Sequence, residues 1–314
     1  MAVDPLTPLS GRAGLAAVGA RAATAEALRN TNRADRATGT LFLALLLLGI
    51  GVAMAGLAVI LVWSLVEGAP RLGLDLLTNG PSTIRPEQAG FRTSILGSLW
   101  VVGGVLVLVV PIGVGAAIYL EEFADRERWW NRLIELNIQN LAGVPSIVFG
   151  ILGLAFIVRG PLSLGFVAAA GSLTLTLLVL PTVIIASREA IRAVPPSIRE
   201  GSLALGATRW QTIRRQTLPA AIPGVLTGVI LAVARATGEA APLLLVGAVT
   251  FATFNPSLFE GAYSTLPVQI FNYSSRPQAE FRVLAMAGVI VMLGMVLLMN
   301  SVAVWLRNRY EQSW

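Results

Sequence analysis

Long uncharged apolar runs constrain this chain more than anything else in it. Scanned for segments able to cross ~30 Å of hydrocarbon, the sequence offers spans at roughly 41–66, 93–120, 136–158, 162–186, 224–248 and 283–306. No charged residue falls between Arg36 and Glu67, Arg92 and Glu121, Glu135 and Arg159, or Arg282 and Arg307. The fifth run is the exception, because it carries Arg235 and Glu239. A backbone in lipid must satisfy its own polar groups, so these runs predict an all-α membrane protein with six spans.

Composition agrees with that class: 55% of residues are hydrophobic and 13% charged, where a soluble domain carries about 25% charged residues. Cysteine and histidine are absent. That excludes disulfides, thiolate nucleophiles, imidazole acid–base catalysis and Cys/His metal sites. All 23 basic residues are arginine, so a Gly-x-x-x-x-Gly-Lys-[Ser/Thr] phosphate loop is impossible. The patches Gly49-Ile-Gly51 and Gly150/Gly153 read as helix packing instead. Neither a cofactor nor a catalytic residue is expected.

The arginines are unevenly placed, and the asymmetry sets an orientation. With the N-terminus inside, the inner side holds Arg12, Arg21, Arg29, Arg33, Arg36, Arg126, Arg128 and Arg132. It also holds Arg188, Arg192, Arg199, Arg209, Arg214, Arg215, Arg307 and Arg309. The outer side has only Arg71, Arg85, Arg92, Arg159, Arg276 and Arg282. Residues 1–40 and 307–314 are therefore expected to be cytoplasmic tails, the first partly disordered at its start. The longer tail is not a cleavable signal, since the apolar run after it is too long for an h-region. The net charge of +6 becomes a topology signal, so membrane lipid and not nucleic acid is the expected surrounding.

Pro111, Pro145, Pro181 and Pro242 fall within spans. Each removes a backbone donor and tends to kink its helix, which favours a bundle around a cavity over a plain anchor. The longest inner connection, 187–223, is closely punctuated. Pro195-Pro196 halts the preceding helix, and Ser197-Ile-Arg-Glu200 has the form of a capping box. Gly206 is a natural helix stop, Thr208-Arg-Trp-Gln211 is a second capping box, and Pro219 and Pro223 mark the entry to the fifth span. The expectation is a compact pair of short helices joined at Leu205-Gly206-Ala207.

Arg235 lies about twelve residues into the fifth run, ~18 Å along a helix and near mid-membrane. A charge there costs at least ~2.5–3.5 kcal/mol and normally faces protein or a water-filled path. Glu239, one turn on, is the obvious partner. One reading is a structural ion pair that locks the bundle. The other is an anion path, because a guanidinium offers fixed charge and forked donors to a tetrahedral oxyanion. Glu239 would then hold Arg235 and compete for it, with Thr237 and Gly238 adding a hydroxyl and close backbone approach.

Glu200-Gly-Ser-Leu-Ala-Leu-Gly206 followed by Leu218-Pro219 resembles the EAA loop of ABC importer permeases. Gly201 and Ser202 stand where that motif has alanines, and Gln216 stands at its isoleucine position. Over most of residues 90–306 the chain is similar to the A-type permeases of phosphate-specific ABC importers. Ala207-Thr-Arg-Trp-Gln-Thr-Ile213, Leu218-Pro-Ala-Ala-Ile-Pro-Gly-Val-Leu-Thr-Gly228 and Ala234-Arg-Ala-Thr-Gly-Glu-Ala-Ala-Pro-Leu-Leu-Leu245 carry the likeness. So do Gly143-Val-Pro-Ser-Ile-Val-Phe-Gly-Ile-Leu-Gly153 and Thr265-Leu-Pro-Val-Gln-Ile-Phe271.

The resemblance implies a six-span type I ABC importer permease (MetI-like) with a cytoplasmic coupling helix. It implies half of a phosphate path, with Arg235, Glu239, Thr237 and Gly238 along it. Glu200, Gly201, Ser202, Leu205, Gly206, Ala207, Arg209, Leu218 and Pro219 would couple it to the ATPase. The implied partners are a homologous C-type permease, two cytoplasmic ATPase subunits and an extracytoplasmic phosphate-binding protein. ATP would be hydrolysed by those other chains. A permease for another oxyanion, a secondary proton-coupled anion transporter and a membrane scaffold for phosphate sensing remain alternatives.

Overall fold

Among the described residues helices carry the architecture, as the apolar runs require. The computed structural model describes residues 33–125, 127–248, 252 and 254–310. Most of the expected N-terminal tail, Arg126 and the last four residues lie outside the described residues. The chain divides into two compact units, Met1–Trp63 and Ser64–Trp314. In the first, helix α1 (Arg33–Gly68) begins, apolar on every face, with Leu41 to Ile60 exposed as lipid-facing residues would be.

The second unit holds α2 (Leu74–Thr78), α3 (Arg92–Phe123), α4 (Trp129–Ala142), α5 (Ser146–Val158) and α6 (Ala168–Arg192). It continues with α7 (Pro196–Ala204), α8 (Arg209–Gly238), α9 (Ala241–Leu245), α10 (Leu266–Ser274) and α11 (Ala279–Tyr310). Among the described residues, five helices are long and apolar enough to cross a membrane, and the bent α4–α5 pair makes up to a sixth.

α6 is the central helix: 72% of its apolar window is buried, against 39% or less in the other spans. Its small residues Ala168 to Ser172 let α3 approach, and Ser172 Oγ donates 3.1 Å to the Val101 carbonyl of α3. Val105, Leu175, Val179, Val229 and Ala232 fill the core between α3, α6 and α8. A smaller cluster of Leu76, Phe91, Tyr273, Phe281 and Leu284 closes the end that carries α2 and α10.

Three expected spans differ from the observed helices. The third is broken, since α4 and α5 meet at 109° around Gly143–Pro145. Pro145 has no N–H to donate and pushes the residue before it out of helical geometry. Gly150 and Gly153 then press α5 against Pro242, Thr174 and Val246, with no room for a Cβ. The fourth begins at Ala168, because the 159–167 loop turns through Ser163 at φ 45° and Gly165 at φ 74°. The fifth starts earlier and ends earlier than 224–248. α8 runs through Pro219 and Pro223 without stopping, the wide π turn Ile213–Thr217 making room just before the first proline. It stops at Gly238 because the ring of Pro242 would strike that carbonyl in a continued helix.

Candidate functional site

The connection between α6 and α8 builds its tip from local backbone chemistry. Pro195 caps α7 and Pro196 fills its first position, where a fixed φ is favourable and a missing N–H costs nothing. The capping box expected at Ser197 and Glu200 is therefore not formed; Ser197 is already inside the helix and Glu200 is exposed. At the other end Gly206 takes φ 82°. The Gly206 N–H donates to Leu203 and the Ala207 N–H to Ser202, the paired bonds of a Schellman stop. The second box does form: Thr208 Oγ1 accepts from the Gln211 N–H at 3.3 Å, and Gln211 Oε1 accepts from the Thr208 N–H at 2.9 Å. A 2.9 Å bond between Ser202 and Thr212 ties the two helices together.

The result is a protruding turn with Leu205 91% exposed and Glu200, Gly201, Gly206 and Arg209 beside it. Arg209 also lies 5.3 Å over the ring of Phe123. Leu218 and Pro219 are not part of this surface: both are half-buried in α8. The second short helix expected there is simply the first turns of α8.

At the base of the tip lies a charge network that the sequence reading missed. Glu121 and Glu122 occupy the π turn that ends α3. Arg192 binds Glu121 through two bonds of 3.1 and 3.0 Å. Arg188 approaches Glu121 at 3.5 Å and pairs with Glu135 of α4 at 2.9 Å. Arg199 of α7 reaches Glu122 at 3.1 Å. The only signal in the sequence was two adjacent acids closing an uncharged span, facing Arg188 and Arg192 at helical spacing.

The second candidate constellation sits where α8 ends. Antiparallel packing sets its depth: Gly224 meets Ala190, Gly228 meets Ala186, and beyond the break Leu243 meets Gly171. That register places Arg235 level with about Val179, in the middle of α6. Arg235 Nε lies 3.6 Å from Glu239 Oε1, and the side chains are 50% and 19% exposed. Glu239 leaves the helix with φ −78° and ψ 118°, so the pair straddles a break and not a continuous helical face.

Thr237 is not brought to this pair. It is buried on the opposite face, its hydroxyl donating 2.8 Å back to the Val233 carbonyl. Gly238 borders open space, the nearest atom to an added Cβ being Met292 Cε at 3.8 Å. Just beyond, Tyr263 anchors the segment after α9 by donating 3.3 Å to the Val246 carbonyl. Burial pushes that phenol well above its ordinary range and keeps it a donor.

Arg235 is thus a half-exposed guanidinium level with the middle of α6, on the helix that begins just after the Leu205–Ala207 turn. Residues 109–313 match the family described as binding-protein-dependent transport system inner membrane component. The chain belongs to that family. This permease is 33% identical over 275 residues to the probable ABC transporter permease protein YqgI of Bacillus subtilis, covering 82% of this chain and 92% of that one. It is 34% identical over 262 residues to the phosphate transport system permease protein PstA of Haemophilus influenzae, covering 83% and 90%.

The permease also superposes, with a TM-score of 0.62 at 15% identity, on a chain of the bacterial alginate ABC transporter solved with its pentasaccharide-bound periplasmic protein. That likeness covers 86% of this chain and 94% of the other. The fold is that of a MetI-like type I importer permease. As a member of the family the protein is an inner-membrane transport subunit and not an enzyme.

Proposed function

We propose that the permease forms half of the translocation path of an ATP-driven phosphate importer. The observation that carries the reading is Arg235: a fixed positive charge at mid-depth, half-exposed and held by one long contact to Glu239. A tetrahedral anion offers a guanidinium better-formed bonds than a carboxylate 3.6 Å away. Glu239 reclaims the arginine as the anion moves on, which keeps binding weak enough for release. The substrate named for the Haemophilus influenzae relative supports phosphate as the anion.

In this reading the Leu205–Ala207 turn is the coupling tip, with Glu200, Gly201, Ser202 and Arg209 around it, docking on one of two cytoplasmic ATPase subunits. Leu218 and Pro219 support the tip from within α8. A homologous C-type permease completes the path and an extracytoplasmic binding protein delivers phosphate. Both termini are cytoplasmic, and residues 41–306 form the permease domain.

Uptake of labelled phosphate by the assembled complex in proteoliposomes tests the substrate. A tenfold excess of unlabelled arsenate, a phosphate isostere, should suppress uptake, while sulfate at the same excess should not. Suppression by sulfate, or no phosphate uptake in the presence of the binding protein, would make this a permease for another oxyanion.

A further inference from the structure

We infer that Arg199 and Glu122 form a latch that carries movement of α7 into α3 and α6, as positioning residues for transport. The inference rests on the coupling reading of the tip. No residue of α7 is buried, so side-chain packing grips this helix weakly. Half-buried Ile198 rests on the core and Ser202 bonds Thr212 of α8, and one guanidinium ties the helix to α3 and α6. Arg199 Nε donates 3.1 Å to Glu122 Oε1, Nη2 donates 2.6 Å to the Ile191 carbonyl, and Nη1 donates 3.3 Å to the Val194 carbonyl.

The Ile191 carbonyl belongs to the last turn of α6 and the Val194 carbonyl to the turn just after it, where the helix dipole favours a cation. Glu122 belongs to the π turn of α3 and is only 8% exposed. A single side chain of α7 thus closes onto two spans at once.

Stability does not explain the choice of charge, since apolar residues in a buried site are commonly at least as stable as an ion pair. Geometry does. The planar fork meets three acceptors, on α3, on α6 and in the turn after α6, and the point charge of a lysine cannot reproduce that. With these bonds intact, α7 cannot shift without pulling on α3 and α6. Arg192 and Arg188, bound to Glu121 and Glu135, tie α3, α6 and α4 at the same end. The movement therefore reaches the bundle as a unit.

The chain has no cysteine, so Leu205→Cys provides a single crosslinking site on the tip. In that background, Glu122→Gln/Arg199→Gln and Arg199→Lys should be compared with the unmodified pair in the assembled complex. Crosslinking to the ATPase subunit should stay within twofold. The ratio of substrate-stimulated to basal ATP hydrolysis should fall at least fivefold in both variants, and phosphate uptake with it. A merely structural role would lower the amount of complex but leave the ratio per crosslinked complex unchanged, and that result would overturn the latch. Absence of any crosslink with the latch intact would instead remove the coupling reading, and the latch with it.

Discussion

Two charged constellations share this bundle, and they are built in opposite ways. At the α7 end, Glu121 and Glu122 are nearly covered, each carboxylate receives arginine donors at 3.1 Å or less, and four helices are joined. At mid-depth, Arg235 and Glu239 share a single 3.6 Å contact with the arginine half-exposed. Several short bonds with fixed forks hold one geometry and resist exchange. One long contact at a helix break holds a charge in place while leaving most of its donors free for another acceptor. The first constellation is a clamp, and the second is the loosely held pair that the proposed function assigns to an incoming anion.

That contrast predicts unequal costs for removing one acid from each. Glu121→Ala takes the two-bond acceptor from Arg192 and the second carboxylate from the nearly buried Arg188, which keeps Glu135, and should cost about 1.5–3 kcal/mol. It should appear as a large fall in the thermal midpoint and in recovery of the detergent-solubilised complex. Glu239→Ala loses one solvent-screened contact and should change stability by no more than about 1 kcal/mol. Equal losses in the two variants would erase the distinction between clamp and poised pair.

A smaller effect is expected at the tip itself. Gly206 sits at φ 82°, where a β-branched residue is strained by about 1–3 kcal/mol. Gly206→Val should therefore distort the turn without unfolding the spans. ATP hydrolysis stimulated by the assembled transporter should fall several-fold while the thermal midpoint of the bundle stays near that of the native protein. An unchanged stimulation would mean that the shape of this turn does not matter for coupling.

The clamp and the pair were also unequally legible. Arg235 and Glu239 announced themselves because charge inside an apolar run is costly. Their mid-depth level followed from counting, although the structure sets it through packing on α6. The clamp lies in flanking residues where charge is ordinary, and only the three-dimensional return of α6 and α7 onto the end of α3 brings its members together. Spans were readable from uncharged length, and of the four prolines flagged within them, 145 and 242 accompany breaks while 111 and 181 lie inside continuous helices. At Pro145 the chain turns 109°, while helix α8 continues past Pro219 and Pro223 after the π turn that precedes them. The caps at Gly206 and Thr208 were legible because each uses only neighbouring backbone groups. Ser197 misled because Pro196 takes the first helical position by its fixed φ.

The measurement closest to the central claim is phosphate uptake by Arg235→Gln/Glu239→Gln, normalised to assembled complex in proteoliposomes. The double variant removes both charges together, so the loss of a partner for either one cannot account for a loss of uptake. If Arg235 serves the anion, this complex should assemble normally, retain ATP hydrolysis and take up phosphate at no more than background, like Arg235→Gln alone. Uptake near that of the native complex would show that the pair only locks the bundle, and would contradict the account.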